Sequence, residues 1–338
     1  MTPAARTAMA EGLAQWANPS SPHAEGRAAR AGLEGARRRI AAAYGWCGET
    51  ILTSGASESL AIALGRTTLP QRLITAVEHD AVMRAGVGAD VVPVDAAGLV
   101  DRAALVAMLV SGPALVCVQW ANSETGVRQP IAAIAEDVHA AGGRLLVDAA
   151  QMPASAELAE IADMVALSAH KRGGPPGVGA LLVRDLALLH PSGGQERGYR
   201  PGTENLPGAL GYAAALAEPE PDHAALRARL DDAILRSGGE IVAADAPRHP
   251  AIGSYRLRGR AAAAQLILLD SAGFAVSAGS ACSSGSMKPS HVLAAMGWDE
   301  AVGRQVIRVS FGRTTTADQV DAFIAAWRAM AKQIRHAA

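Results

Sequence analysis

Cysteine is scarce in this chain: three in 338 residues, Cys47, Cys117 and Cys282. The number is odd, and neither a Cys-x-x-Cys nor a His-x-x-x-His spacing occurs. That excludes a disulfide scaffold and gives no metal-site pattern; it suits a reducing compartment, so the cytoplasm is expected. Aromatic residues make up only 4% of the chain, so Ala and Gly must fill much of the interior. Charge of one sign is also lacking: the net charge is −1, which points to neither nucleic acid nor an anionic membrane. No apolar run reaches the ~18 residues that a membrane helix needs. The opening Met1-Thr2-Pro3-Ala4-Ala5-Arg6 has neither the charged head nor the apolar core of a secretory signal.

What is present is apolar bulk, half of all residues, in a chain long enough for more than one domain. Two helical stretches are expected up to residue 45, broken at Asn18-Pro19-Ser20-Ser21-Pro22. After them short apolar runs alternate with loops and helical segments. Strands are expected at 49–53, 73–77, 90–94, 114–119, 144–148, 163–168 and 178–183, the 90–94 strand near an edge because of Pro93. This alternation predicts an α/β fold, a large domain with a mostly parallel sheet wound with helices. Glu218-Pro219-Glu220-Pro221-Asp222 reads as a boundary, giving a large domain over 1–222 and a smaller α+β domain over 223–338. The first residues are open to packing with either domain.

In a parallel sheet the carboxyl ends of the strands share one side, and ligands bind there. Ser57, His79, Ser123, Asp148 and Lys171 each follow an expected strand. Lys171 lies in Ser168-Ala169-His170-Lys171, just before a Gly- and Pro-rich loop. A lysine desolvated in such a crevice can lose its proton and form a Schiff base. Ser54-Gly55-Ala56-Ser57-Glu58-Ser59 joins a strand to a helix start, whose unpaired N–H groups and dipole favour an anion; Ser57 and Ser59 offer hydroxyls. An ordinary helix cap reads equally well from that stretch alone. Asp148 ends an apolar run and needs a positive partner or a capping role. Cys282 sits in Ser277-Ala278-Gly279-Ser280-Ala281-Cys282-Ser283-Ser284-Gly285-Ser286, small residues throughout, which reads as a loop that can swing.

Together these pieces resemble the NifS-like cysteine desulfurases, pyridoxal-phosphate enzymes related to the class V aminotransferases. The resemblance rests on Thr53-Ser54-Gly55-Ala56-Ser57-Glu58-Ser59, Glu78-His79, Asn122-Ser123-Glu124-Thr125-Gly126 and Asp148-Ala149-Ala150-Gln151. It continues through Ser168-Ala169-His170-Lys171, Arg200-Pro201-Gly202-Thr203-Glu204-Asn205, Gly279-Ser280-Ala281-Cys282 and Ile307-Arg308-Val309-Ser310, in order over nearly the whole chain.

The resemblance implies a fold type I pyridoxal-phosphate transferase that turns L-cysteine into L-alanine and a persulfide on Cys282, for delivery to an acceptor protein. It implies that Lys171 carries the cofactor as a Schiff base, Asp148 pairs with the ring nitrogen, Gln151 meets the ring oxygen and His79 stacks on the ring. Ala56 through its N–H, Ser57, Ser168 and His170 would hold the phosphate. Thr203 would reach the phosphate of the opposite subunit in a homodimer, and Arg308 would clamp the substrate carboxylate. Ser123 stands where the family usually has an asparagine that contacts cofactor or substrate. The family's opening strand, ending in Ala-Thr-Thr-Pro, has no counterpart before Thr2-Pro3, and no long tail follows Arg335-His336. Rival expectations are another class V aminotransferase-type enzyme, a selenocysteine lyase, or a non-catalytic interaction protein.

Overall fold

The computed structural model describes residues 1–279 and 288–335, and the chain divides into two compact units. The first comprises 1–92, 102–120 and 130–220; the second comprises 93–101, 121–129 and everything from residue 221. The boundary near 220 falls in the Pro-rich stretch, but the second unit also takes two short segments from the middle of the chain.

The first unit opens with two helices, α1 (Pro3–Ala14) and α2 (Ala24–Ala43). Thr2 caps α1 through its side chain and Pro3 sits at the first turn, where its missing N–H costs nothing. The break between the helices falls in the Asn18–Pro22 stretch, as the sequence predicts. Then follow β1 (Glu49–Thr53), α3 (Ala56–Arg66), β2 (Gln71–Thr75), α4 (Asp80–Ala85), β3 (Asp90–Val92) and α5 (Arg102–Leu109). The unit is completed by β4 (Ala114–Gln119), α6 (Ile131–Ala140), β5 (Arg144–Asp148), β6 (Met164–Ser168), β7 (Gly179–Val183) and α7 (Leu206–Leu216), against which α1 and α2 pack.

These seven strands form one sheet in the order β1-β7-β6-β5-β4-β2-β3. All neighbours from β6 to β3 pair in parallel; β7 is antiparallel to both β6 and β1. Six strands therefore run one way and β7 alone runs back. The expected mostly parallel α/β sheet is what the structure has. β4, β6 and β7 are buried along their whole length, as strands covered by helices on both faces must be. β3 is an edge strand and stops before Pro93.

The second unit contains α8 (Ala224–Arg236), β8 (Glu240–Ile241), β9 (Ile252–Arg256), α9 (Ala262–Ser271), β10 (Ser277–Ala278), α10 (His291–Ala295), α11 (Glu300–Gly303), β11 (Val306–Ser310) and α12 (Ala317–Arg335). Its four strands pair antiparallel in the order β10-β11-β9-β8, an α+β arrangement. Leu230, Ile234, Ile307 and Trp327 fill its core, with Trp327 edge-on to Tyr255 at 6.3 Å. Among the described residues no helix is long and apolar enough to cross a membrane.

Candidate active site

Because six strands run together, Thr53, Thr75, Gln119, Asp148 and Ser168 all end on one edge of the sheet. Register ties them side by side: Gln119 faces Asp148, Asp148 faces Ala166, and Gly179 on β7 faces both Ser168 and Thr53. Gly179 has to be glycine. A Cβ there would run into the Leu167 carbonyl and the backbone of Gly55. The turn after β1 and the turn after β6 are thereby brought to either side of one residue without a side chain.

The first of those turns starts α3. Gly55 precedes the helix, and its first intrahelical bond runs from Ser59 N to the Gly55 carbonyl at 3.1 Å. The N–H groups of Ala56, Ser57 and Glu58 lie ahead of that bond, the usual place for an anion. Ala56 is buried and Ser57 is exposed. Ser59, which the sequence offers as a second hydroxyl, is buried and bonded to Thr53 Oγ1 at 2.9 Å, so it braces the turn instead. Glu58 accepts from Ser54 N at 2.5 Å and from Arg200 Nε at 2.9 Å. Burial opposes its charge, but the Ser54 bonds and Arg200 outweigh that and hold the carboxyl below its usual range. Arg200 lies in the loop that also carries Thr203, which is exposed. The same loop is held from its other end: Glu196 forms a buried ion pair with Arg37 at 2.5 Å and accepts from Leu52 N at 2.8 Å.

The second turn, Ala169–Arg172, follows β6 directly and carries Lys171, which is half-buried. Ser168 Oγ lies 2.9 Å from His170 Nδ1. Burial, and then Lys171, lower the His170 pKa. Gly173 closes the turn in a left-handed conformation (φ 77°), which glycine adopts without strain, and its carbonyl accepts from Thr2 N at 2.8 Å. The Gln151 carbonyl accepts from Arg172, placing Gln151 beside the same turn.

Asp148 is 7% exposed, and its Oδ1 accepts from Ala150 N at 2.9 Å. Burial pushes its carboxyl up; the Ala150 N–H, Lys171 and His79 pull the other way. His79 caps α4: its Nδ1 accepts from Ala81 N at 3.1 Å, which assigns the proton of the neutral ring to Nε2. Burial lowers the His79 pKa, opposed by Asp148 and reinforced by Lys171. Asp148, His79 and Lys171 thus feel one another across the ends of β5, β2 and β6, with burial disfavouring the charged form of both Asp148 and His79.

Ser123 and Arg308 belong to the second unit. Asn122 Oδ1 folds the 122–126 turn by accepting from Glu124 N and Thr125 N, both at 2.8 Å. Glu124 is held at its carbonyl by Ser254 Oγ (2.7 Å) and at its carboxylate by Ser290 Oγ (2.5 Å). Arg308, on β11, donates to the Ser123 carbonyl at 3.0 Å. A cavity of about 220 Å³ in this unit is lined by Gly279, Lys288, Leu293 and Trp298 among others; none of the lining residues is one given a catalytic or binding role from sequence. Cys282 lies outside the described residues. No group of His, Cys, Asp and Glu suited to a metal occurs among the described residues.

Sequence reasoning passed over Glu78 and Gln119 as functional residues. Glu78 is fully buried and accepts from Thr75 Oγ1 at 2.6 Å and Gln119 N at 2.9 Å. The available signal was an acidic residue directly before His79 at the end of an apolar strand.

The aminotransferase class-V family model matches residues 4–323. A cysteine desulfurase of Cereibacter sphaeroides is 37% identical, covering 95% of this chain and 90% of its own length. An IscS-like cysteine desulfurase of Mycobacterium tuberculosis is also 37% identical, with coverage of 95% and 91%. Among solved structures, a NifS-like protein from Rickettsia africae superposes with a TM-score of 0.88 at 27% identity, covering 98% of this chain and 96% of that one. A structure described as SspA in complex with cysteine gives 0.78 at 27% identity, with coverage of 94% and 97%. With one family model spanning the sheet, the strand-end turns and most of the second unit, this chain belongs to the aminotransferase class-V family.

Proposed function

We propose that this chain is a pyridoxal-phosphate-dependent cysteine desulfurase, acting as a cytoplasmic homodimer in which the first unit binds cofactor and the second contributes Arg308 and Cys282. The observation that carries the reading is the grouping of Lys171, buried Asp148 and His79 beyond strand ends on one edge of the sheet, close enough to shift one another's titration. Relatives named cysteine desulfurase over most of the chain favour this substrate over the rivals.

The residues fit the cofactor. Asp148 is a buried carboxylate that needs a positive partner, and a protonated pyridine nitrogen is one. The N–H groups at the start of α3, with Ser57, Ser168 and His170, suit a phosphate. When bound, pyridoxal phosphate supplies an electron sink that weakens bonds at the substrate's α and β carbons.

The chain's own part is then as follows. Lys171 Nζ anchors the cofactor and afterwards carries a proton at the substrate carbon. Asp148 would pair with the protonated ring nitrogen. His79 would stack against the ring and exclude water, and Gln151 would bond the ring oxygen. Arg308 takes the substrate carboxylate in its planar fork. The Cys282 thiolate attacks the substrate sulfur; the carbon–sulfur bond breaks, sulfur passes to Cys282 as a persulfide, and the carbon is protonated to alanine. L-cysteine and one thiol thus yield alanine and one persulfide, with no external oxidant. Thr203 completes the phosphate site of the opposite subunit, and an acceptor protein takes the sulfur.

Incubation with L-cysteine and a thiol reductant tests the reading. Alanine and sulfide should appear in equal amounts. Pyruvate in place of alanine, or a colourless protein that takes up no cofactor, would overturn it.

A further inference from the structure

We propose that Glu78 is a positioning residue of this site: it locks the turn that presents His79 to the strand that flanks Asp148. The inference rests on the functional reading given above.

Glu78 sits between β2 and His79, and no part of it reaches solvent. One oxygen, Oε1, accepts from Thr75 Oγ1 at the end of β2 and from Gln119 N at the end of β4. Gln119 answers with its own side chain, whose Nε2 donates to the Val77 carbonyl. Thr75, Val77, Glu78 and Gln119 thus close a ring of hydrogen bonds that fixes the 76–79 turn on two strands. His79 is the last residue of that turn, and its Nδ1 is already committed to Ala81 N. On the other side, Gln119 is the register partner of Asp148, and Trp120 N donates to the Asp148 carbonyl at 2.9 Å. One buried carboxyl therefore sets the separation between the His79 imidazole and the Asp148 carboxylate.

Both donors to Oε1 are uncharged, so a neutral acid serves as well as an anion. Burial, offset in part by the Thr75 and Gln119 bonds and reinforced by the Asp148 charge, pushes the Glu78 pKa up to about 8. A glutamine of the same shape would keep the same Oε1 acceptor.

The test compares Glu78→Gln, Glu78→Ala and Thr75→Val with the unaltered enzyme. Apoprotein is reconstituted with pyridoxal phosphate, and the readouts are cofactor affinity, the position of the visible band, and kcat separately from KM for L-cysteine. Loss of two buried hydrogen bonds should cut cofactor affinity at least ~10-fold in Glu78→Ala. The band should shift, and kcat should fall more than KM rises. Glu78→Gln should restore all three, and Thr75→Val should fall between. A glutamine variant as impaired as the alanine variant would show that an ionised carboxylate is needed and overturn the proposal. So would an alanine variant with the normal band and affinity. If Glu78→Ala fails to fold, the glutamine and Thr75→Val results still decide. An unaltered chain that takes up no pyridoxal phosphate overturns the functional reading instead.

Discussion

The Arg308 guanidinium donates to the backbone carbonyl of Ser123, not to its side chain. Replacing the serine should therefore leave the arginine in place. Ser123→Asn, which restores the residue common in the resembling family, is expected to leave KM for L-cysteine near its original value and to raise kcat, because the longer amide adds both a donor and an acceptor. Arg308→Lys should do the opposite, raising KM about tenfold or more by giving up a two-pronged carboxylate contact. Steady-state kinetics on the two variants separates these outcomes.

Lys171→Ala should remove turnover entirely and leave any retained cofactor free to dissociate on denaturation. Borohydride treatment before denaturation should fix cofactor to the unaltered chain and not to the variant. Cofactor covalently trapped on the variant would assign the anchor to another lysine.

The three thiols should behave differently. Cys117 is fully buried and burial pushes its thiol well above the ordinary range, whereas Cys47 is exposed. An aromatic disulfide reagent should therefore label Cys47 and leave Cys117 untouched until the protein unfolds. Cys282→Ser should keep the cofactor colour yet form no persulfide, and alanine release should drop to background. Normal alanine release from that variant would exclude the persulfide route.

Thr203→Ala should weaken cofactor retention by about 1.5 kcal/mol, roughly tenfold, for loss of a hydrogen bond to a charged group. Sedimentation run alongside the visible spectrum tests the shared site: cofactor content and dimer should disappear together on dilution. A fully loaded monomer would refute it.

Glu78 also predicts a pH dependence of the apoprotein. Its pKa in the fold, about 8, lies above the ordinary carboxyl value of 4.5, so the folded state holds the proton more tightly. The raised pKa therefore favours the fold fully below pH 4.5, and this advantage is lost as pH rises from there to about 8. Asp148 is the nearby charge that strengthens the effect. Denaturant midpoints of the unaltered apoprotein should fall across that window relative to Glu78→Gln. Parallel curves for the two proteins would mean that Glu78 is ionised in the fold.

Much of this architecture was legible from short-range pattern. Strand runs such as Ala114–Gln119 and Arg144–Asp148 are apolar, bounded by breakers, and match the observed elements. Their common polarity then puts Asp148 and the Ser168–Lys171 turn on one edge. The start of α3 was harder to read: Ser-rich sequence favours turns, yet burial of Ala56 and Ser59 extends the helix back to Ala56. Glu78 and Gln119 were not legible as partners. Nothing within either segment says that β4 lies between β2 and β5; only the sheet order supplies that. The second unit's two mid-chain segments were missed for a related reason, since 93–101 and 121–129 each follow directly in sequence on a strand of the first, β3 and β4.

β1 has one strand neighbour, β7, and that neighbour comes far later in the chain. Until β6 and β7 have formed, the Ser54–Glu58 turn has no sheet to stand on. Contacts so distant in sequence carry the largest loop-closure cost and tend to form late. During synthesis, therefore, this turn is made early but β1 gains its strand partner only after Val183 has left the ribosome. The Ser54–Glu58 turn and the turn that carries Lys171 are thus joined only when β7 pairs with both β1 and β6.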